Sequence, residues 1–360
     1  MSDSLYEKLR EKVGRHSAYF PKSKSGIELR FLRKLFDEGD AETYLLLSEN
    51  LESDEAIAAR TGRDPASLAA ALAKIAAKGL CYPKRLDGTR YYAAAPFAHG
   101  ILENQVNTID GDLARLYEEY IWAEKLPLER SPGDEKEPLV PLRSIPIQAP
   151  LSIARPVAPY EDARDIIMSQ DRIALAQCFC ALQQHILGTG CTRPREVCLI
   201  LGFYADYYIE YGFGRRIGKS EAIEVLDIAE EAGLVHQIPD SRDPGAICNC
   251  CPDCCGGLRV LRKLPSPALL MRTNYFIAID ASLCDGCGAC APRCPMDALS
   301  LGAEGTMEVN VNRCIGCGLC TRSCSRGALT LFSKPEEERT EPPHTLKFMR
   351  SSRDIEGAMG

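Results

Sequence analysis

Two stretches near the C-terminus decide the reading: Cys284–Pro295, CDGCGACAPRCP, and Cys314–Ser325, CIGCGLCTRSCS. Each carries the spacing C-x2-C-x2-C-x3-C, as Cys284, Cys287, Cys290 and Cys294 and again as Cys314, Cys317, Cys320 and Cys324. Three thiolates this close in one loop reach three irons of a single cubane, while the fourth projects away and serves the other cluster. The spacing therefore predicts one 4Fe-4S cluster on Cys284, Cys287, Cys290 and Cys324, and a second on Cys314, Cys317, Cys320 and Cys294. Structural zinc is the competing reading, but zinc takes four ligands and seldom uses triplets at this spacing. Gly286, Gly288, Gly316 and Gly318 stand where backbone must wrap closely enough for amide N–H groups to reach sulfur.

Short apolar runs flank each motif, at Tyr275–Ile279, Ala298–Leu301, Met307–Val311 and Ala328–Phe332, and read as strands of a duplicated unit. The unit resembles the bacterial ferredoxin domain with two 4Fe-4S clusters. It departs from that family at Ser325, where a proline usually follows the fourth cysteine. A domain of roughly 60 residues buries little apolar surface, so the clusters are expected to act as its core.

The chain has 360 residues, 18 cysteines and a formal net charge of -7. That length suits two or three domains. Met1–Phe20 is charged and has no apolar signal segment, and no apolar run approaches the length of a membrane span. A cytoplasmic protein of an oxygen-poor setting, with reduced thiols and no membrane insertion, is expected. The acidic balance disfavours general nucleic-acid binding and favours a redox partner protein with a basic docking surface.

Nine further cysteines fall between residues 178 and 255: Cys178, Cys180, Cys191 and Cys198, then Cys248, Cys250, Cys251, Cys254 and Cys255 in the string CNCCPDCC. Thiols at this density select iron-sulfur centres or zinc. Arg172–Gln177 reads as a buried strand delivering Cys178. Pro194 suits the first turn of a helix that would carry Cys198. The expected centre is a further 4Fe-4S cluster on Cys178 or Cys180, Cys191, Cys198 and one thiol of CNCCPDCC, with zinc held by four of these cysteines as the structural alternative. Cys254, Cys255 and Gly256 resemble the CCG element of heterodisulfide-reductase-type subunits, although the C-x2-C that should follow is already claimed by Cys284 and Cys287. Adjacent pairs such as Cys250 with Cys251, or Cys254 with Cys255, could also undergo thiol redox change. His185 and His236 lie near this region and are read as packing or polar residues ahead of ligands.

The C-F-C at Cys178–Cys180, the G-C-x6-C at Gly190–Cys198, Tyr211–Ile217, Ala229–His236 and the CNCC string together resemble multidomain ferredoxin-type proteins of anaerobes. Related chains often carry a basic residue where this one has Ala181. The resemblance implies electron transfer and names no substrate. It also implies an N-terminal winged-helix-like module, and local signals agree. Ser53 caps a helix that Gly62 breaks, Asp64-Pro65 opens a second helix with Leu68, Leu72 and Ile75 on one face, and Asp87-Gly88 turns a hairpin. The second helix offers only Lys74 and Lys78 as cations, too few to read base edges. An interaction surface, including a homodimer contact, is the expected role of this module.

The fold class read from the sequence is therefore α+β multidomain. A winged-helix-like domain covers residues 1–125, and a proline-rich linker covers 126–159. A cysteine-rich α/β domain expected to bind metal covers 160–264, the ferredoxin-like dicluster domain covers 265–333, and a flexible tail covers 334–360. Gly212–Gly218 lacks the spacing of a dinucleotide loop, and there is no P-loop. The expected function is relay of single electrons between a low-potential donor and a partner oxidoreductase in anaerobic metabolism. The alternatives are an iron-sulfur redox-sensing regulator and a catalytic subunit that uses the central cysteines.

Overall fold

Capping residues start and stop the N-terminal elements in the computed structural model, which describes residues 2–17, 20, 22–123, 142–147 and 157–343. Helices α1 (Ser2–Arg15), α2 (Ile27–Leu35) and α3 (Glu38–Leu46) precede a short strand β1 (Glu52–Ser53). Ser53 accepts the Ala56 amide to cap α4 (Asp54–Thr61), and Gly62 ends it at φ 67°. Asp64 accepts the Ser67 amide and Pro65 opens α5 (Pro65–Ala77). Strands β2 (Cys81–Leu86) and β3 (Thr89–Ala94) pair around Asp87-Gly88, and β1 joins them in the order β1-β3-β2. Lys74 of α5 and Lys78 at its C-cap both close on Asp37 and Asp40. Helix α6 (Gly111–Ala123) follows.

A six-stranded sheet organises the middle of the chain. Its strands are β4 (Leu142–Ser144), β5 (Ile173–Gln177), β6 (Glu196–Leu201), β7 (Gly214–Ile217), β8 (Val235–Pro239) and β9 (Ala246–Cys250), in the order β4-β8-β9-β6-β5-β7. Every pairing is antiparallel. This corrects the expected α/β character of the domain: strands that return antiparallel need no parallel crossover, so the region is α+β. Helices α7 (Ala163–Met168), α8 (Phe179–Ile186), α9 (Gly202–Glu210), α10 (Lys219–Glu231) and α11 (Gly256–Lys263) connect or flank the strands.

Alternation along β5 separates the two faces of the sheet. Ile173 and Leu175 pack with Ile166, Val225 and Leu226 of α7 and α10. Ala174 and Ala176 face the other way, into a core shared by Phe203 and Tyr207 of α9 and by Phe31, Leu72 and Tyr92 of the N-terminal region. The Tyr207 hydroxyl donates to the Ala76 carbonyl across this seam. The N-terminal region is thus built into the central region through one apolar core.

In the C-terminal region, β10 (Tyr275–Ile279) pairs with β13 (Leu329–Ser333), and β11 (Leu299–Leu301) pairs with β12 (Met307–Val309). Arginines tie this region to the sheet. Arg293 donates to the carbonyls of Glu230 and Glu231 at the end of α10, and Arg322 pairs with Glu230 at 2.7 Å. Arg313 donates to the carbonyls of Arg262, Leu264 and Met296.

Most of the predicted linker, residues 124–141 and 148–156, lies outside the described residues. Its described part supplies β4, an edge strand, where proline-rich chain is tolerated. Arg143 on β4 is fully buried and pairs with Glu161 at 2.7 Å and Asp240 at 2.9 Å, and donates to the Thr340 carbonyl at 2.8 Å. Residues 334–343 of the predicted flexible tail are therefore held against the sheet, and 344–360 lie outside the described residues. Among the described residues, no helix is long and apolar enough to cross a membrane.

Removing the guanidinium in Arg143→Ala leaves Glu161 buried with only the neutral donors Asn274 and Tyr275, and Asp240 with Arg272 alone. The expected loss is about 3–5 kcal/mol of stability, measured as an earlier midpoint in chemical denaturation.

Candidate metal centres

Thiols of the two C-terminal motifs meet across the motifs. Cys290 has Cys324, Cys284 and Cys287 as its thiol neighbours, and burial followed by these charges pushes its thiol up. Cys317 stands with Cys294 and Cys314, and Cys320 with Cys317, Cys294 and Cys314, then Cys290 of the first motif. Cys294, Cys314, Cys317 and Cys320 all line one apolar cavity together with Met296, Ile315 and Gly318. Backbone amides point at sulfur in both sets: Met307 to Cys284 at 3.3 Å, Ala298 to Cys294 at 3.2 Å and Ala328 to Cys324 at 3.3 Å. Such N–H···S bonds stabilise thiolates on a cluster and tune its potential. Gly286 and Gly316 have positive φ, and a Cβ there would lie 2.0 Å from the Gly305 carbonyl oxygen and 2.4 Å from the Tyr275 carbonyl oxygen. The donor set, the glycine-lined approach and the buried thiols all fit 4Fe-4S cubanes.

Comparison with known families agrees with this geometry. Residues 276–329 match the family model described as a 4Fe-4S dicluster domain. This is an iron-sulfur protein. Its matched segment supports iron-sulfur electron transfer. No curated protein and no solved structure matches the chain.

The central thiols divide into two groups. Cys191, Cys251 and Cys254 converge, with Cys191 Sγ 3.3 Å from Cys251 Sγ and 3.5 Å from Cys254 Sγ. A single tetrahedral ion with metal–sulfur bonds of about 2.3 Å holds its thiolates about 3.8 Å apart, whereas a cubane spreads them over separate irons. The three thiols therefore fit one mononuclear ion. Arg193 Nη1 donates to Cys251 Sγ at 3.1 Å and also pairs with Asp253, placing positive charge beside the site.

The other six thiols are neighbours of one another in a closed circuit. Cys178 interacts with Cys180 and Cys198, Cys198 with Cys248, Cys248 with Cys250, Cys250 with Cys255, and Cys255 with Cys180. Strand β5 runs into Cys178, β6 carries Cys198 opposite Ala176, and β9 carries Cys248 and Cys250. Helices α8 and α11 begin directly after Cys178 and Cys255. Each cysteine occupies the N-cap position of its helix, where the positive end of the helix dipole faces sulfur. The neighbouring Cys198 and Cys250 hold Cys248 well below the ordinary thiol range, and Cys180 and Cys250 do the same for Cys255.

Two expectations change here. Cys198 lies on a strand, because Glu196–Leu201 is rich in branched apolar residues and pairs with both β5 and β9. The expected quartet joining Cys191 to Cys198 is also replaced, since Cys191 stands with Cys251 and Cys254 while Cys198 stands in the six-thiol circuit. His236 keeps a structural role: it is fully buried, 2.5 Å from Asn249 Oδ1 and 3.3 Å from Glu230 Oε1. Gly214–Ile217 forms the edge strand β7.

The N-terminal region supplies groups that the sequence did not flag. His99 Nε2 lies 3.4 Å from Cys248 Sγ and 4.0 Å from Glu103. Burial opposes a charge on His99, but Cys248 and Glu103 outweigh it and push its pKa up to about 9. Tyr117 lies beside Cys180, and a Cβ at Gly256 would lie 2.6 Å from the Tyr117 hydroxyl. Arg259 reaches across from α11 to Glu118 of α6, holding its carboxyl down to about 2. The remaining cysteine, Cys81, is fully buried in the core, and burial raises its thiol.

Cys191→Ser is expected to lower bound metal by one atom per chain while leaving the ferredoxin-type electron paramagnetic resonance (EPR) signals unchanged. Gly316→Ala is expected to remove about four irons, since its Cβ collides with the Tyr275 carbonyl; iron analysis checks this against wild type.

Proposed function

We propose that this chain relays single electrons from a low-potential donor through its dicluster domain to the central thiolate centre, and onward to a partner oxidoreductase in anaerobic metabolism. The observation that carries this reading is one apolar core. In it, Cys317 and Cys294 of the second cubane set pack with Cys250 and Cys255 of the six-thiol circuit, through Leu258, Ile315 and Leu319. The Ile147 amide, in the chain just after β4, donates to the Cys317 carbonyl at 3.1 Å and ties the two sides together. The cubanes supply one-electron redox capacity. The protein's own side chains supply a buried apolar path between the two thiol groups.

Entry from the donor fits the first cubane set. Cys287 is exposed there, Leu283 and Leu301 present apolar surface, and Leu301 packs against the Gly286 loop. Exposed apolar side chains ringed by charge suit transient docking, and the net charge of -7 favours a partner with a basic face. Pairing of Lys74 and Lys78 with Asp37 and Asp40 leaves α5 without free cations for DNA, which weighs against the regulator reading.

The test is iron and sulfide analysis with an EPR redox titration of oxygen-free protein. About twelve or more irons, with a third signal that exchanges electrons with the ferredoxin pair, are expected. About eight irons and no third signal would confine the relay to the dicluster domain. Colourless or zinc-filled protein would end it.

A further inference from the structure

A cavity of about 50 Å³ lies between the N-terminal region and the sheet, beside the six-thiol circuit. Cys198 and Cys248 form part of its wall, His99, Glu103 and Tyr208 bring polar groups to it, and Ala246 belongs to its lining from β9. These residues come from separate elements: the loop after β3, a single helical turn at Glu103–Asn107, α9, β6 and β9. Tyr208 is only 5% exposed, and its hydroxyl lies in the field of Glu103, Cys198 and Cys248. His99 meets Cys248 Sγ and Glu103 accepts the Gly100 amide, which leaves the Tyr208 hydroxyl to face a space whose lining is otherwise largely apolar. A water needs about 10–15 Å³ by this measure, so the space suits a ligand of a few heavy atoms.

The cavity is not needed for the relay. The path from the second cubane set enters the circuit at Cys250 and Cys255, through a buried apolar core. Cys198 and Cys248 belong to the part of the circuit that faces the cavity. A pass-through carrier would gain nothing from a cavity at that position, whereas a centre that binds a small molecule requires one, largely apolar with a few polar groups.

We propose that this cavity is a ligand pocket of the central centre, admitting a small polar molecule that coordinates iron through a lone pair and is held at the Cys198–Cys248 edge by His99 and Tyr208. The proposal rests on the central thiols holding iron, as the relay reading requires. It adds that the centre is a binding endpoint, with the N-terminal region as the pocket's lid in place of a separate module.

Azide serves as the probe, added to oxygen-free full-length protein whose iron content has been measured. A saturable change in the EPR or Mössbauer spectrum of the central centre is expected, with the ferredoxin-type signals unchanged as an internal control. Ala246→Leu, which adds bulk to the cavity lining and leaves every cysteine in place, should weaken azide binding at least tenfold. Tyr208→Phe, which keeps the ring and removes the hydroxyl, should weaken it several-fold. Retained ferredoxin signals and iron content show that each variant is folded and loaded. A central centre present at about twelve irons but unresponsive to azide overturns the pocket and leaves the relay intact. An equal response in wild type and Ala246→Leu overturns it too, since the anion then binds elsewhere. About eight irons per chain overturns the central iron centre, and the pocket with it.

Discussion

A thiolate carried into a protein interior loses its hydration, and every element around the cysteines of this chain answers that loss. In the dicluster region the answer is backbone: amides of Ala298, Met307 and Ala328 aim at sulfur, and glycines at 286 and 316 let the main chain come close. In the central region it is helix ends and neighbours. Helices α8 and α11 open at Cys178 and Cys255, and Arg193, Tyr117 and His99 come from elsewhere to contact individual sulfurs.

This constraint also accounts for the packing of the regions. Nine thiols cannot be enclosed by the six-stranded sheet alone, because its face bearing Ala174 and Ala176 presents small side chains. Helix α9 and the N-terminal helices cover that face with aromatic residues, including Phe31, Tyr92, Phe203 and Tyr207. The dicluster region covers the other approach, clamped by Arg293, Arg313 and Arg322. Buried charges at Arg143, Glu161 and Asp240 then fix β4 and the segment near Thr340 in one place. Pairing of this kind gives geometric definition more than net stability.

The parts legible in the sequence were those set by short-range chemistry. The C-x2-C-x2-C-x3-C runs, the caps at Ser53 and Asp64, the Asp87-Gly88 turn and the strand before Cys178 each depend on neighbours a few residues away. Cys198 was misplaced on a helix because Pro194 is a local signal, while the strand pairing of Glu196–Leu201 with both β5 and β9 is not. Grouping of Cys191 with Cys251 and Cys254 was equally invisible, since adjacent cysteines in CNCCPDCC point to opposite sides of the chain. His99, Glu103 and Tyr208 carry no motif at all.

The sequence by itself determined that this chain holds iron-sulfur chemistry, because a cubane's bond lengths dictate how far apart its ligands stand along a loop. Tertiary structure alone decided how nine other thiols divide into a triad and a circuit, and which distant side chains meet them. Those contacts join residues some 60 to 150 positions apart, such as Cys191 with Cys251 and His99 with Cys248, and no local spacing encodes them.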